Sequence, residues 1–437
     1  MFWLQFLILL LCIFIGARLG GVGLGVMGGV GLSIFVFGFG LQPTEPPIDV
    51  MLMIVAVITA ASSLQAAGGM DYLVSTAEKA LRKNPKHITF IAPMVTYLFT
   101  LCAGTGHVAY SVLPVIAEVA RESKVRPERP MSIAVIASQQ AITASPISAA
   151  TVALVALLAD FNINLIDILL ICIPSTFIAC MIAAFVASKM GKELEEDPIY
   201  LERLEKGITP LISGKKEIHV TNKAKLSVAL FLLAAVLVVL LGSAEALRPG
   251  WTIEGEFVRL SMPHTIEMVM LTISALIIIL CKPDVEEIAS GTVFKAGVTA
   301  VVAIFGIAWM GDTFFNGNMA LIQESIHEMV TSAPWLFAFA LFILSILLYS
   351  QAATVRALMP LGISLGIAPA LLIAMFPAVN GYFFIPNYGT VVAAINFDQT
   401  GTTRIGNYIL NHSFMIPGLV ATIGAVGIGL LISSLLF

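Results

Sequence analysis

Of 437 residues, 58% are apolar and only 11% are charged, against roughly a quarter charged in soluble domains; so much apolar surface excludes a water-soluble fold. Basic and acidic residues number 23 and 27, and the basic ones sit in short clusters between apolar stretches, which excludes a nucleic-acid-binding face. The five cysteines, Cys12, Cys102, Cys172, Cys180 and Cys281, lie in or beside apolar segments without paired spacing, a pattern of small core residues that implies no metal, disulfide or cofactor.

The chain starts apolar at once, with neither a basic leader nor a small-residue cleavage site, so residues 2 to 17 are expected to remain as a first membrane helix. A crossing of about 30 Å of hydrocarbon takes roughly 20 residues. On that measure, further crossings are expected near 22 to 40, 48 to 67, 131 to 158, 164 to 188, 225 to 243, 264 to 281, 292 to 311, 369 to 396 and 408 to 434. Two other apolar stretches, 86 to 120 and 334 to 366, are interrupted midway by Ala103-Gly104-Thr105-Gly106-His107 and Ser350-Gln351-Ala352, and each reads as a re-entrant hairpin. Ten crossings with both termini outside put every one of the 23 basic residues except Arg248, Arg259 and Arg356 on the inner side, where Lys and Arg collect.

The chain also repeats itself. Met70 to Pro85 and Met319 to Pro334 are each spaced by 15 and each covers an amphipathic segment leading into a hairpin. Thr105 to Pro114 and Gln351 to Pro360 are both spaced by nine, and A-S-P-I-S at 144 to 148 and F-I-P-N-Y at 384 to 388 each fall within an apolar run. With five crossings in each half, the second half must sit inverted relative to the first. The expected fold is therefore an all-α polytopic membrane protein of about ten transmembrane helices in two inverted repeats, 1 to 188 and 225 to 437, each with a re-entrant hairpin and a broken helix. Residues 189 to 224, rich in Lys and Glu, form the cytoplasmic linker. Inverted repeats with interrupted helices point to a secondary transporter whose substrate lies at the breaks.

Backbone that leaves helical geometry at membrane depth must be satisfied within the protein or in a wet cavity. Gly104 and Gly106 permit a tight turn, and Pro146 and Pro386 each remove a donor. The half-helix N-termini so created suit carboxylates. Around them gather Thr105, His107, Gln139, Gln140, Thr143, Ser145, Ser148, Ser350, Gln351, Thr354, Asn380, Asn387, Tyr388 and Thr390. Two such donor clusters fit a short molecule with a carboxylate at each end. Residues 131 to 158 and 334 to 396 contain no Asp or Glu, whereas cation and proton carriers use intramembrane carboxylates; an anion is the expected cargo. Two readings stand for several of these side chains. Thr143, Ser148 and Thr354 either contact the ligand or only bond neighbouring helices, and His107 either lines the site or is a packed imidazole. Arg356 either meets a substrate carboxylate bidentately or snorkels to the outer interface.

Other patterns carry no chemistry. Gly21, Gly25 and Gly29, at four-residue spacing, read as a helix-packing seam. Gly23, Gly25 and Gly28 match a dinucleotide fingerprint by letters only, since no strand precedes them. Gly362 to Gly366 matches a nucleophile elbow but ends a membrane helix, and His327-Glu328 lacks the second His of a zinc-protease helix. No catalytic constellation is present, and no enzyme activity is expected.

The motifs G-A-R-L-G-G at 16 to 21, A-G-T-G-H at 103 to 107, R-P-E-R-P at 126 to 130, I-T-A-S-P-I-S at 142 to 148, Y-S-Q-A-A-T at 349 to 354 and D-Q-T-G-T-T-R-I-G at 398 to 406 resemble, in order and over the whole chain, the anaerobic C4-dicarboxylate transporter (Dcu) family. Their form is nearer its A-type branch. Two positions depart from the family pattern: Pro386-Asn387-Tyr388-Gly389 stands where P-T-Y-P is usual, and His107 where Asn is also familiar. The resemblance implies exchange of fumarate, malate or aspartate for succinate in the bacterial inner membrane, supporting anaerobic respiration. It also implies an elevator-like motion of a hairpin-bearing domain against a scaffold, and a homodimer interface on the glycine-seamed early helices. The alternatives are a cation-coupled carboxylate symporter, distinguished by a sodium requirement, and a dicarboxylate co-sensor that regulates a membrane kinase.

Overall fold

The computed structural model describes all residues except 20, 21, 47, 162, 208–219, 254, 255, 319, 320, 322–332, 334, 349, 387, 409 and 437. The chain is built from α-helices, most of them apolar on every side, as lipid-embedded helices are. Among the described residues, six are long and apolar enough to cross a membrane, and shorter apolar helices accompany them at 2–16, 25–38, 335–346 and 369–383. The chain is thus a multi-pass membrane protein.

In the first part of the chain run α1 (Phe2–Leu19), α2 (Gly23–Ser33, continued by a π-helical turn Ile34–Gly38), α3 (Ile48–Ala66), α4 (Gly69–Lys83), α5 (Ile88–Ala103), α6 (Ala109–Glu122), α7 (Glu128–Gln140), α8 (Ala149–Leu158) and α9 (Leu165–Ala187). Next come the short α10 (Pro198–Glu205), α11 (Asn222–Ser243), α12 (Met262–Cys281), α13 (Val285–Ser290) and α14 (Thr292–Gly317). The last are α15 (Trp335–Leu348), α16 (Gln351–Ser364), α17 (Pro369–Met375), α18 (Gly389–Phe397) and α19 (Met415–Leu436). Between α11 and α12, strands β1 (Gly250–Ile253) and β2 (Glu256–Arg259) pair antiparallel from Gly250↔Arg259 to Ile253↔Glu256.

The long helices start at side-chain caps that satisfy their first amides. Asn164 and Asp167 form a reciprocal capping box on α9, Thr221 caps α11 through the Ala224 amide, and Ser261 caps α12 through the His264 amide. The helices sort into two packed groups. In one, α2 lies on α1 and α14, and α3 on α12 and α14. Phe314 of α14 anchors this group, its ring 5.6 Å from Phe2 and 5.8 Å from Phe35. A Cβ on Gly306 would fall 1.8 Å from the Gly25 carbonyl oxygen, and one on Gly28 2.3 Å from the Gly306 carbonyl carbon. The seam is therefore formed by Gly25 and Gly28 against α14 of the same chain. Gly29 faces open space, because four-residue steps drift off a straight contact line, and Gly21 lies outside the described residues.

In the other group α9 runs along α19, α5 along α7, and α7 against α9, with α15, α16 and α17 packed beside them. The groups meet where α16 touches α14 and α8, and where α8 touches α3 and α12. The axis of α4 is bent 73° from that of α3 at Gly68, whose φ of +78° suits glycine; α4 buries Met70, Ala77 and Leu81 on one side of an otherwise polar helix. The matching segment from Met319 to Pro334 lies outside the described residues apart from Leu321 and Ala333.

Beyond α9 the linker is fastened back onto α7. Arg126, 4% exposed, pairs with Glu128 at 2.6 Å and with Asp197, and Asp197 caps α10 by accepting from the Ile199 and Tyr200 amides. Arg129 pairs with Glu193 at 3.0 Å and donates to the carbonyls of Met190 and Gly191. Residues 208–219 of the linker lie outside the described residues.

Candidate functional site at the helix breaks

The first break separates α7 from α8. A 3-10 turn follows Gln140, and Ser145 and Ser148 are in extended conformation around Pro146. Three carbonyls thereby lose helical partners or neighbour the break, and side-chain hydroxyls take them up. Thr143 donates to the Gln140 carbonyl at 2.8 Å, Ser145 to Leu101 at 2.7 Å and Ser148 to Ile142 at 2.6 Å. Ser148 also accepts from the Thr151 amide at 3.1 Å, capping α8. These side chains are wholly buried and hold the backbone.

Against this break presses the tip of the α5–α6 hairpin. Gly104 ends α5 with φ +70°, and its amide bonds the Thr100 carbonyl at 2.8 Å; a Cβ there would also strike Ile147 at 2.8 Å. Gly106 serves a different purpose. Its φ is not positive, but a Cβ would stand 2.2 Å from the Gln139 amide nitrogen, so its smallness admits that side chain. Thr105 is half-buried at the tip, and the backbone of His107 lies in the 3-10 turn Gly106–Val108; nothing further of the His107 side chain belongs to the described structure.

The second hairpin brings its own tip to the same place. Ser350 caps α16 by accepting from the Ala353 amide at 3.2 Å, and Thr354 donates back to the Ser350 carbonyl at 2.8 Å. Gln351, at the first position of α16, reaches across. Its amide donates to the Gln139 side-chain oxygen at 3.0 Å and to the Asn380 side-chain oxygen at 3.2 Å. Asn380 in turn donates to the Gln140 side-chain oxygen at 3.2 Å and to the Pro377 carbonyl at 3.1 Å, and Gln140 donates to Thr422 of α19 at 3.0 Å. Four buried amides, drawn from both breaks and one hairpin tip, thus form one neutral network. Each carries donors and acceptors, so a substrate carboxylate can accept from N–H groups that now donate to amide oxygens.

The second break is longer. From α17 the chain passes through 3-10 turns Phe376–Val379 and Gly381–Phe383 before the turn at buried Pro386, and α18 begins at Gly389. Asn387 lies outside the described residues. The rings of Tyr382 and Tyr388 are 4.9 Å apart, Thr390 is 1% exposed, and the Tyr110 hydroxyl of α6 sits 2.2 Å from where a Cβ on Gly389 would be.

Arg356 is elsewhere. Five residues past Gln351 it has turned roughly 140° around α16, and it lines a cavity of about 190 Å³ with Asp312 and Asn316 of α14, Thr44 and Pro360. Asp312 and Arg356 thus line one cavity. Asp312 is a carboxylate in an apolar helix that the apolar run ending at 311 stops just short of.

The description "anaerobic C4-dicarboxylate membrane transporter" belongs to the family model that this sequence matches over residues 1–437. The chain belongs to the DcuA/DcuB family. It is 45% identical to the C4-dicarboxylate transporter DcuA of Wolinella succinogenes over 99% of both chains, and 44% identical to DcuA of Escherichia coli K12 over 98% of both. It is 42% identical to the anaerobic C4-dicarboxylate transporter DcuB of Escherichia coli O6:H1 over 96% of both. In fold it is similar to the solved structure of Neisseria gonorrhoeae MtrF, from a class of antimetabolite efflux pumps, with a TM-score of 0.57 at 13% identity, covering 92% of this chain and 84% of that one. As a member of the DcuA/DcuB family the chain is a membrane transporter and not an enzyme. Two Dcu-like motifs away from the breaks, R-P-E-R-P and D-Q-T-G-T-T-R, meet in the structure. The Glu128 amide donates to Thr402, Ser413 donates to the Glu128 carboxylate at 2.6 Å, and Asp398 gathers Thr400, Thr402 and the Thr403 amide. Sequence spacing gave no sign of that junction, nor of Thr422 or Tyr110 near the breaks.

Proposed function

We propose that the chain exchanges C4-dicarboxylates (fumarate, malate, aspartate and succinate) across the bacterial inner membrane by alternating access. The observation that carries this reading is the Gln139–Gln351–Asn380–Gln140 network, neutral and buried where the breaks and a hairpin tip converge. Acidic residues are absent from 131 to 158 and from 334 to 396, which favours an anion. In this reading the halves 1 to 188 and 225 to 437 are inverted five-crossing repeats joined by the cytoplasmic linker 189 to 224, with both termini periplasmic. The hairpin-bearing helices move, elevator-like, against the group of α1, α2, α3, α12 and α14. Counterflow of labelled succinate in proteoliposomes against a panel of C4 acids tests it. Rapid exchange of C4-dicarboxylates over monocarboxylates is expected, and no exchange by folded protein overturns the proposal. A second reading, cation-coupled uptake, is favoured by Asp312 facing Arg356; it requires net uptake that follows an imposed sodium or proton gradient.

A further inference from the structure

The half-helices that leave the two breaks start differently. At α8 the Ser148 hydroxyl accepts the Thr151 amide, and the Ser148 and Thr151 hydroxyls both donate to the Ile142 carbonyl, so this N-terminus is closed upon itself. At α18, nine residues long, Tyr388 supplies no side-chain cap. The amides of Gly389, Thr390 and Val391 have no hydrogen-bond partner among the described residues, and neither has the Thr390 hydroxyl, on a residue 1% exposed. A buried hydroxyl without a partner is unfavourable, and it lies in the first turn of a helix whose N-terminal amides attract anions. Gly389 itself is exposed, and the Tyr110 hydroxyl of the first hairpin stands over it, closer than any Cβ would allow.

We infer that the N-terminus of α18 holds one carboxylate of the dicarboxylate, bound by the Gly389 to Val391 amides and the Thr390 hydroxyl, with the Tyr110 hydroxyl as a further donor from the facing hairpin. The inference rests on the transport reading above and refines it: the two ends of the substrate meet unlike partners, helix amides and hydroxyls at one end and side-chain amides at the other. Because α18 packs on both α6 and α7, the site joins the second break to the first hairpin and to the helix that carries Gln139.

The test uses full-length protein, with binding and exchange of succinate and of monomethyl succinate, and thermal unfolding without ligand. Thr390→Val keeps the shape and removes the hydroxyl. It is expected to weaken succinate at least tenfold, to narrow the preference for succinate over the monoester, and to leave the ligand-free unfolding temperature equal or higher, since an unpartnered polar atom is lost. Thr390→Ser restores the hydroxyl and with it the affinity; Tyr110→Phe weakens succinate in the same direction. Wild-type succinate affinity in Thr390→Val, beside normal exchange by the wild type, overturns the inference and leaves the transport reading standing. A fall in unfolding temperature in Thr390→Val that tracks its loss of binding also overturns it, because the residue then serves the fold. Failure of the wild type to bind or exchange succinate overturns the transport reading itself.

Discussion

At the first break the hydroxyls of Thr143, Ser145 and Ser148 all donate to main-chain carbonyls, whereas at the second the Thr390 hydroxyl is without a partner among the described residues and α18 starts uncapped. The two breaks share a central proline, Pro146 and Pro386, yet at one the hydroxyls fasten backbone and at the other donors are left open. Matching motifs in two halves of a chain therefore fix where a helix breaks and say little about what the break does. A broken helix can be stabilised from inside or left for a ligand to complete.

The largest expected effect comes from the network that ties the breaks together. Gln351→Leu leaves the Gln139 and Asn380 amides facing an apolar side chain, at about 1–3 kcal/mol for each stranded group. Succinate exchange is expected to fall at least a hundredfold; near-normal exchange would separate the hairpin tip from the site and make each break independent. Next is Arg356→Ala, on the hairpin that serves the second break. Arg356 lies away from the amide network, so its lost charge acts at a distance and is expected to weaken succinate binding up to about tenfold, about 1.4 kcal/mol. Asp312→Asn in the same background should recover part of the loss by removing a stranded carboxylate. Calorimetry on the single and double variants reads both, and additive losses would mean that the two groups do not interact.

The linker and the first break are expected to respond in stability instead. Burial works against the charge of Asp197, but the Arg126 guanidinium and the Tyr200 and Ile199 amides outweigh it and hold the carboxyl below its ordinary value of 3.8. A carboxyl depressed in the folded state stabilises above its unfolded pKa, and that contribution disappears as pH falls through the depressed value. Thermal unfolding should therefore show a loss below about pH 4 that Asp197→Asn, destabilised by about 2 kcal/mol at neutral pH, no longer shows. The smallest effect is expected from Ser148→Ala, which removes the α8 cap. Stability should fall by about 1 kcal/mol with succinate affinity changed less than twofold, and a selective loss of affinity would give the first break the ligand role assigned to the second.

The membrane class and the apolar segments follow from composition, because lipid demands long apolar helices and the sequence cannot hide them. Gly104 was legible as a turn residue, since its left-handed backbone needs glycine. Gly106, expected as a second turn residue, has no positive φ and is needed for its smallness, and the reason for that, the Gln139 side chain, lies 33 positions away. The amide network was not legible in its pairing: Gln351 and Gln139 are separated by 212 residues, and Asn380 and Gln140 by 240. Asp312 was missed because hydropathy fades at the residue before it, while the helix itself continues to Gly317. Arg356 was placed by its distance along the helix, and the turn about the axis sends it toward α14 instead.

The bend at Gly68 has a geometric consequence. One end of α4 is continuous with α3, and near its other end Arg82 pairs with Glu78 at 2.6 Å and with Glu118 and Glu122 of α6. A helix 14 residues long from pivot to pairing point is a rod of about 21 Å at 1.5 Å per residue. While those ion pairs hold, the open end of the first hairpin travels only on a sphere of that radius centred on one glycine, so any sliding along the membrane normal is accompanied by a sideways swing.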